Sequence, residues 1–302
     1  MLFDLKNIRI QSLHNDGFAK KKVAVDVLRL DEIHPIVSGN KLFKLHYFLE
    51  ETLISQHKTI LTFGGAWSNH LQATAFACQQ LGLKSIGIVR GEEPLQRSFT
   101  LEECLKYGMR LKFIPRDVYG QKDDQALLKM LKDQFGDCTI IPEGGYDQKG
   151  MSGASLIMDL INNNDYTHLI TAVGTATTIA GLLNASKENQ TIIAVPVLKG
   201  MTDIPARIAY LTGQKANISQ LQVFDGYHFG GYAKFNTALI KFMNDCWERF
   251  QLPLDFVYTA KMMSAVFDKI QADQFPENSR ILCLHTGGLT GNRSLPEGIL
   301  QF

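Results

Sequence analysis

The five cysteines of this chain form no pairs. Cys78, Cys104, Cys138, Cys246 and Cys283 stand singly inside apolar runs, and no C-x-x-C occurs. This argues against a zinc site or a disulfide framework and favours a reducing compartment. Neither sign of charge prevails: 31 Lys and Arg stand against 30 Asp and Glu, a net charge of +1. No footprint for nucleic acid or for an anionic membrane surface follows from that balance. Long apolar runs are also missing. The stretch from Leu169 up to Lys187 is interrupted by Gly174, Gly181 and several threonines, so it reads as strand, turn and helix rather than as a membrane span. The first ten residues hold Asp4 and Lys6 and no apolar h-region, so no signal peptide is expected and the location expected is cytoplasmic. His70, His228 and His285 share no metal-ligand spacing, and no Gly-x-Ser-x-Gly elbow, Walker loop or G-x-G-x-x-G fingerprint is present. The expectation is no metal, no serine hydrolase and no nucleotide.

What the chain does have is a regular alternation. Its 302 residues are enough for one or two domains with a large core. Short β-rich runs are expected at 59–63, 84–89, 111–114, 138–142, 168–173, 191–197, 222–224, 256–257 and 280–284. Helical patterns lie between them, at 69–81, 98–107, 126–135, 152–162, 177–185, 204–212, 233–249 and 260–271. Alternation on this scale predicts an α/β protein with parallel sheets covered by helices. The glycines at Glu143-Gly144-Gly145, with Gly150 and Gly153 close behind, mark the best hinge between domains.

In such folds chemistry gathers in the loops after the strands' carboxyl ends. Gly64-Gly65-Ala66-Trp67-Ser68-Asn69-His70 runs into a helix, and its glycines, hydroxyl and amide suit a carboxylate or phosphate. Simple N-capping by Ser68 or Asn69 competes with that reading. Gly174, Thr175, Ala176, Thr177 and Thr178 form a second such loop, whose hydroxyls and backbone N–H groups suit the phosphate of a small ester. A threonine cap is the alternative there. Val257-Tyr258-Thr259 and His285-Thr286-Gly287-Gly288 are read as strand ends. Tyr258 can transfer protons or stack on a ring, and Thr259 or Thr286 can bond a ring nitrogen. The aromatic and glycine segment Tyr227 to Tyr232 has the same two readings, packing or site.

The oddest feature is Gly39-Asn40-Lys41-Leu42-Phe43-Lys44-Leu45, two lysines in the first turn of a helix. Cations are unfavourable at that positive end, and these two share the face of Leu45 and Phe48. An anion is expected there, or one lysine is uncharged. A phosphate cradle, an inward lysine and ring-contacting loops together suggest pyridoxal phosphate, held as a Schiff base by a lysine of lowered pKa.

At these residues the chain resembles a known family. Ser38-Gly39-Asn40-Lys41-Leu42-Phe43-Lys44-Leu45-His46-Tyr47, Gly64 to His70, Val257-Tyr258-Thr259 and His285-Thr286-Gly287-Gly288 look like the aminocyclopropane-carboxylate deaminase / D-cysteine desulfhydrase family. Those enzymes are tryptophan-synthase-β-like, fold-type II pyridoxal-phosphate enzymes. The resemblance implies two open, twisted, mostly parallel sheets covered by helices, in two domains with the cofactor between them. Residues 1–44 and 151–302 would form the large cofactor-binding domain and 45–150 a smaller inserted one. It also implies a homodimer acting on a small-molecule amino-acid substrate.

Carried over residue by residue, the resemblance makes Lys41 the Schiff-base lysine and Lys44 a phosphate contact. Asn69 would bond the ring's 3-hydroxyl, and Ser68, Asn69 and His70 the substrate carboxylate. Gly174 to Thr178 would hold the cofactor phosphate, with Tyr258 and Tyr232 close to the reacting carbon. Ring-opening deaminases of the family typically have glutamate and leucine where this chain has Thr259 and Thr286, as the desulfhydrases do. A threonine does not enforce protonation of the ring nitrogen, and a weaker electron sink suffices when a good β leaving group departs. The expected reaction is therefore β-elimination on a small D-amino acid, D-cysteine giving pyruvate, sulfide and ammonia, with Lys41 or Tyr258 taking the Cα proton. The D-stereochemistry is implied by the resemblance alone. Ring-opening deamination, racemisation, or a non-catalytic pyridoxal-phosphate-binding role are the alternatives. Several positions depart from the family pattern. Trp67 replaces a small residue or glutamine and would reshape the substrate pocket. Leu42-Phe43 replaces Thr-Arg, and Leu289 to Arg293 replaces Ala/Val-Pro-Ala-Leu.

Overall fold

The computed structural model describes residues 3–34, 37, 39–161 and 165–302. Ser38 of the lysine motif and Asn162, at the end of an expected helix, lie outside the described residues. In chain order come β1 (Ile10–Ser12), α1 (Asp16–Lys20), β2 (Ala24–Arg29), α2 (Lys41–Ile54), β3 (Thr59–Gly64), α3 (Asn69–Gln80) and β4 (Lys84–Arg90). Then follow α4 (Phe99–Lys106), β5 (Arg110–Ile114), α5 (Arg116–Tyr119), α6 (Gln125–Phe135), β6 (Thr139–Ile141) and α7 (Gln148–Ser155). The remainder is β7 (His168–Val173), α8 (Thr177–Asn184), β8 (Thr191–Pro196), α9 (Ile204–Thr212), β9 (Leu221–Val223), α10 (Thr237–Phe250), α11 (Thr259–Gln271) and β10 (Arg280–His285). Two compact units result, one of Lys41–Gly153 and one of Phe3–Asn40 with Ala154–Phe302.

The unit Lys41–Gly153 has a sheet of order β5-β4-β3-β6 with every pairing parallel. Both faces of a parallel sheet must be covered, and successive side chains on a strand point to opposite faces. Ile86 and Ile88 accordingly join Leu61 and Phe63 in a cluster closed by Leu127 and Leu131 of α6. Val89, one residue on, joins Leu71, Ala75, Leu101 and Cys104 of α3 and α4.

The other unit has a sheet of order β1-β2-β10-β7-β8-β9, parallel throughout except for the β1–β2 pair. Val25, Val27, Ile170, Ile193, Val195, Ile281 and Cys283 pack with Met243 of α10 and Met262, Met263 and Val266 of α11. Among the described residues the architecture is α/β with mostly parallel sheets, as the alternation predicts. No helix among the described residues is long and apolar enough to cross a membrane. All five cysteines are free and buried. Burial pushes the thiols of Cys78, Cys104 and Cys246 up to about 12.

Four local expectations need correction. Strands β1 and β2 have no counterpart in the sequence reading, because charged residues hide the pattern of β2. Asp26 accepts a hydrogen bond of 2.8 Å from Tyr166 Oη, and Arg29 pairs with Asp31 at 2.6 Å. Residues 256–257 are not a strand. The carboxylate of Asp255 accepts the N–H groups of Val257, Tyr258 and Thr259, each at 2.9 Å, so these donors are withdrawn from any ladder and the chain turns into α11. Helix α10 starts four residues later than 233, because Ala233 takes a φ of 53° and Asn236 caps the helix through the Leu239 N–H at 2.9 Å. Helix α7 starts before Ser152, at Gln148, and tightens into a 3-10 turn at Leu156–Leu160.

Gly153 shows why α7 needs a glycine. A Cβ there would stand 2.1 Å from the Phe43 carbonyl oxygen of α2, and a backbone atom cannot move aside as a side-chain tip can. Gly153→Ala should lower stability by about 1–3 kcal/mol, read as a shift of the urea midpoint at unchanged slope.

Candidate active site

Helix α2 opens with Lys41, has no acidic residue in its first turn and carries Lys44 one turn later. Lys44 is buried, 4% exposed, and its Nζ donates to the Gly144 carbonyl at 3.2 Å. Burial, and secondarily the neighbouring Lys41 cation, hold its amine well below the ordinary lysine value. Gly144 and Gly145, whose composition suggests a hinge, lie within this unit, with φ of 66° and 70°. A Cβ on Gly145 would stand 3.3 Å from the Lys44 Cβ. These glycines therefore give Lys44 its close backbone neighbour. Lys41 is half-buried.

In the same unit the loop after β3 turns tightly into α3. A Cβ at Gly64 would stand 2.5 Å from Ser68 Oγ, and Ser98 Oγ ties down the Ala66 carbonyl. Ser68 is the N-cap, accepting from the Leu71 N–H at 3.2 Å, so the capping reading of this loop holds for Ser68. Asn69 opens the helix half-buried, and Trp67 is 38% exposed. His70 is the informative residue. Its Nε2 lies 2.9 Å from Thr62 Oγ1, while the Thr62 hydroxyl proton goes to the Ile141 carbonyl at 2.8 Å. Nε2 must therefore donate, which leaves Nδ1 as a bare acceptor. Nδ1 is buried with no hydrogen-bond partner among the described residues. Burial, then the Lys41 and Lys44 cations, push the imidazole down to about 3, so it is neutral. A buried acceptor without a donor costs free energy, and beside two lysines it fits a site completed by a ligand. Nothing in the sequence signalled Thr62.

The other unit supplies a second group of residues. Strand β7 ends at Val173 and α8 begins at Thr177 after Ala176, which is left-handed at φ 67°. No side chain caps α8 and its first turn has no acidic residue, so the threonine-cap alternative falls. Uncapped N–H groups at a helix start attract an anion. Thr175 and Thr177 hydroxyls lie 2.9 Å apart, and Thr178 Oγ1 accepts from Asn40 Nδ2 at 2.6 Å. Gly174 leaves room for Tyr258, whose ring carbon would lie 3.3 Å from a Cβ there. Tyr258 also meets Tyr232 edge to face, with centroids 6.2 Å apart.

Thr259 is fully buried. Its Oγ1 donates to Asp255 Oδ1 at 2.8 Å and accepts the Asp255 N–H at 2.8 Å, so it offers any further partner only a lone pair. Thr286 follows β10 and is brought close to the segment before Lys41. A Cβ on Gly39 would stand 1.9 Å from the Thr286 carbonyl oxygen, and that carbonyl accepts the Asn40 N–H at 3.4 Å. Beneath it, His285 Nε2 donates to the Pro253 carbonyl at 2.7 Å, and its Nδ1 lies 3.2 Å from Asp31 Oδ1. Asp255, Asp31 and Asn40 are supports that the sequence reading gave no role. Asn40 lies inside the lysine motif and Asp255 two places before Val257, whereas Asp31, seven places before Ser38, has no local signal. Among the described residues no group of three or more His, Cys, Asp or Glu is placed to hold a metal.

A family model described as "pyridoxal-phosphate dependent enzyme" matches residues 18–287. A provisionally named 1-aminocyclopropane-1-carboxylate deaminase of Thermotoga maritima is 29% identical over 284 residues, 87% of this chain and 88% of the relative. A D-cysteine desulfhydrase of Salmonella choleraesuis is 27% identical over 288 residues, 86% of each. The crystal structure of an ACC deaminase homologue superposes with a TM-score of 0.81 at 25% identity, over 97% of this chain and 92% of that one. These matches supply the ligand chemistry: the chain belongs to the family of pyridoxal-phosphate-dependent enzymes, and pyridoxal phosphate is its cofactor.

Proposed function

We propose that this enzyme is a deaminating lyase that removes a β leaving group from a small D-amino acid, with D-cysteine as substrate. The observation that carries the reading is the residue at position 259, a threonine where ring-opening deaminases of the family have a glutamate. No carboxylate replaces it at this position to keep a ring nitrogen protonated, which suits elimination of a good leaving group better than ring opening. The D-cysteine desulfhydrase relative supports the substrate, and the provisionally named deaminase relatives support the deaminating outcome.

Under this reading Lys41 would be the covalent attachment point for the cofactor's aldehyde, and Lys44 and the Gly174–Thr178 loop would be assigned to its phosphate. Asn69 would bond the ring's 3-hydroxyl, and Thr259 and Thr286 would serve the ring nitrogen. The unit Phe3–Asn40 with Ala154–Phe302 acts as the cofactor-binding domain and Lys41–Gly153 as the inserted one. When bound, pyridoxal phosphate withdraws electrons from the substrate Cα. Lys41 Nζ or Tyr258 Oη takes the Cα proton, the C–S bond breaks with its electron pair on hydrosulfide, and water completes the products pyruvate and ammonia. Tyr232 flanks the reacting carbon, and Trp67 shapes the pocket. The substrate carboxylate falls to the Ser68 hydroxyl and to Asn69 at the start of α3. His70 was expected to share that carboxylate, but its Nδ1 accepts and does not donate. We therefore assign His70 to a proton-bearing group. A cytoplasmic homodimer belongs to the same proposal, and light scattering on the purified protein checks the dimer.

The direct test is product analysis. D-cysteine should yield sulfide and pyruvate in equal amounts, and 1-aminocyclopropane-1-carboxylate should yield no ketoacid. Sulfide from L-cysteine alone would overturn the stereochemistry, and no change with any amino acid would overturn the lyase reading. The lysines divide in a second test. After borohydride reduction and peptide mapping, the cofactor should sit on Lys41, and Lys41→Ala should lower kcat by about 10²–10⁴-fold. Lys44→Ala should instead weaken cofactor retention by about 10–100-fold, and equal effects would refute the division. A third test uses pH. The His70 pKa is about 3 folded, below its unfolded value near 6.5, so the unfolded state binds more protons between the two. Its contribution is present above about pH 6.5 and is lost as pH falls toward 3, by about 1.4 kcal/mol per unit at most. His70→Gln should flatten that acid limb in denaturant titrations of the cofactor-free protein.

A further inference from the structure

Lys261 is fully buried and none of the roles above uses it. Its Nζ donates to two backbone carbonyls, His228 at 2.8 Å and Gly231 at 2.7 Å. Among the described residues no carboxylate bonds it directly. A cation taken from water into a core is unfavourable unless its donors are satisfied, and burial pushes this amine down to about 8 even though Asp255 opposes the shift. Such a group is costly to keep, so what it holds is informative.

It holds a loop. Phe229, Gly230 and Gly231 take φ of 50°, 97° and 123°, a run of left-handed backbone that brings two carbonyls three residues apart onto one nitrogen. Helix α11 grips the same loop a second time two turns later, where Tyr227 Oη bonds Asp268. Residues 261 and 268 are seven apart and therefore share a helix face. Phe229 packs into the core between these two anchors. The next residue after the clamped carbonyl is Tyr232, half exposed at 48%, with its ring edge to face on Tyr258 at the start of α11.

We propose that Lys261 is a positioning residue for Tyr232: by drawing the His228 and Gly231 carbonyls onto α11 it holds Tyr232 against Tyr258. One helix thereby carries one tyrosine at its N-terminus and fixes the other through a buried ammonium. The proposal rests on the functional reading in which these two tyrosines flank the reacting carbon.

The first test needs no activity. In cofactor-free protein, hydrogen exchange at Gly231 and Lys234, whose N–H groups bond the His228 and Gly231 carbonyls, should quicken at least about tenfold in Lys261→Met, with β7 unchanged. Unaltered exchange at these amides overturns the proposal. The second test is a cycle of Lys261→Met, Tyr232→Ala and the double variant in the loaded enzyme. If Lys261 acts through Tyr232, the double variant has the kcat of Tyr232→Ala alone, whereas multiplied effects overturn the proposal. Should Lys261→Met fail to fold, Gly231→Ala strains the same carbonyl at φ 123° without touching α11, and it must reproduce both results. An inactive wild type would refute the lyase reading, and the exchange result would still decide the role of Lys261.

Discussion

Parallel strand pairing is the constraint on which the rest depends. A parallel ladder sends every strand's carboxyl end to the same edge of its sheet, so the loops leaving those ends are gathered without further design. In the unit Lys41–Gly153 this places Gly64 to His70 after β3. In the other it places Gly174 to Thr178 after β7 and Thr286 after β10. The cost of parallel pairing is that both sheet faces must be covered: α3 and α4 cover one face of the four-stranded sheet and α6 the other, while α10 and α11 cover one face of the six-stranded sheet. The core thus serves to hold loop geometry, and the loops carry the chemistry.

Electrostatics then works against the fold rather than for it. Lys44 is buried one turn into a helix, the α8 start has neither a cap nor an acid, and the Nδ1 of His70 has no partner among the described residues. Each would be more stable with a carboxylate, a capping hydroxyl or a donor in place. In the unit Lys41–Gly153 the buried lysine and the bare imidazole nitrogen are groups that a bound molecule would stabilise, and in the other unit the uncapped helix start is one that an anion would stabilise.

Much of this was legible in the residues. Alternating apolar runs and Gly-Thr clusters show their meaning locally, so β7, the following loop and α8 could be read directly, as could the two lysines opening α2. The features that escaped depend on partners distant in sequence. Strand β2 carries Asp26 and Arg29, which are intelligible only once Tyr166 and Asp31 are near. Residues 256–257 have strand-like side chains, but Asp255 takes their N–H groups. His70 could be named as a site residue from its motif. Its donor and acceptor sense could not, because that is set by a proton passing from Thr62 to Ile141 across the sheet.

The buried thiols close the account differently. All five are inside, and burial holds each of them protonated beyond neutral pH. Thiolate is the nucleophilic form, so a thiol-directed electrophile meeting the folded protein finds no cysteine thiolate with which to react. Alkylation of those cysteines then becomes a clock for opening of the fold, unit by unit: Cys78, Cys104 and Cys138 report on one, Cys246 and Cys283 on the other.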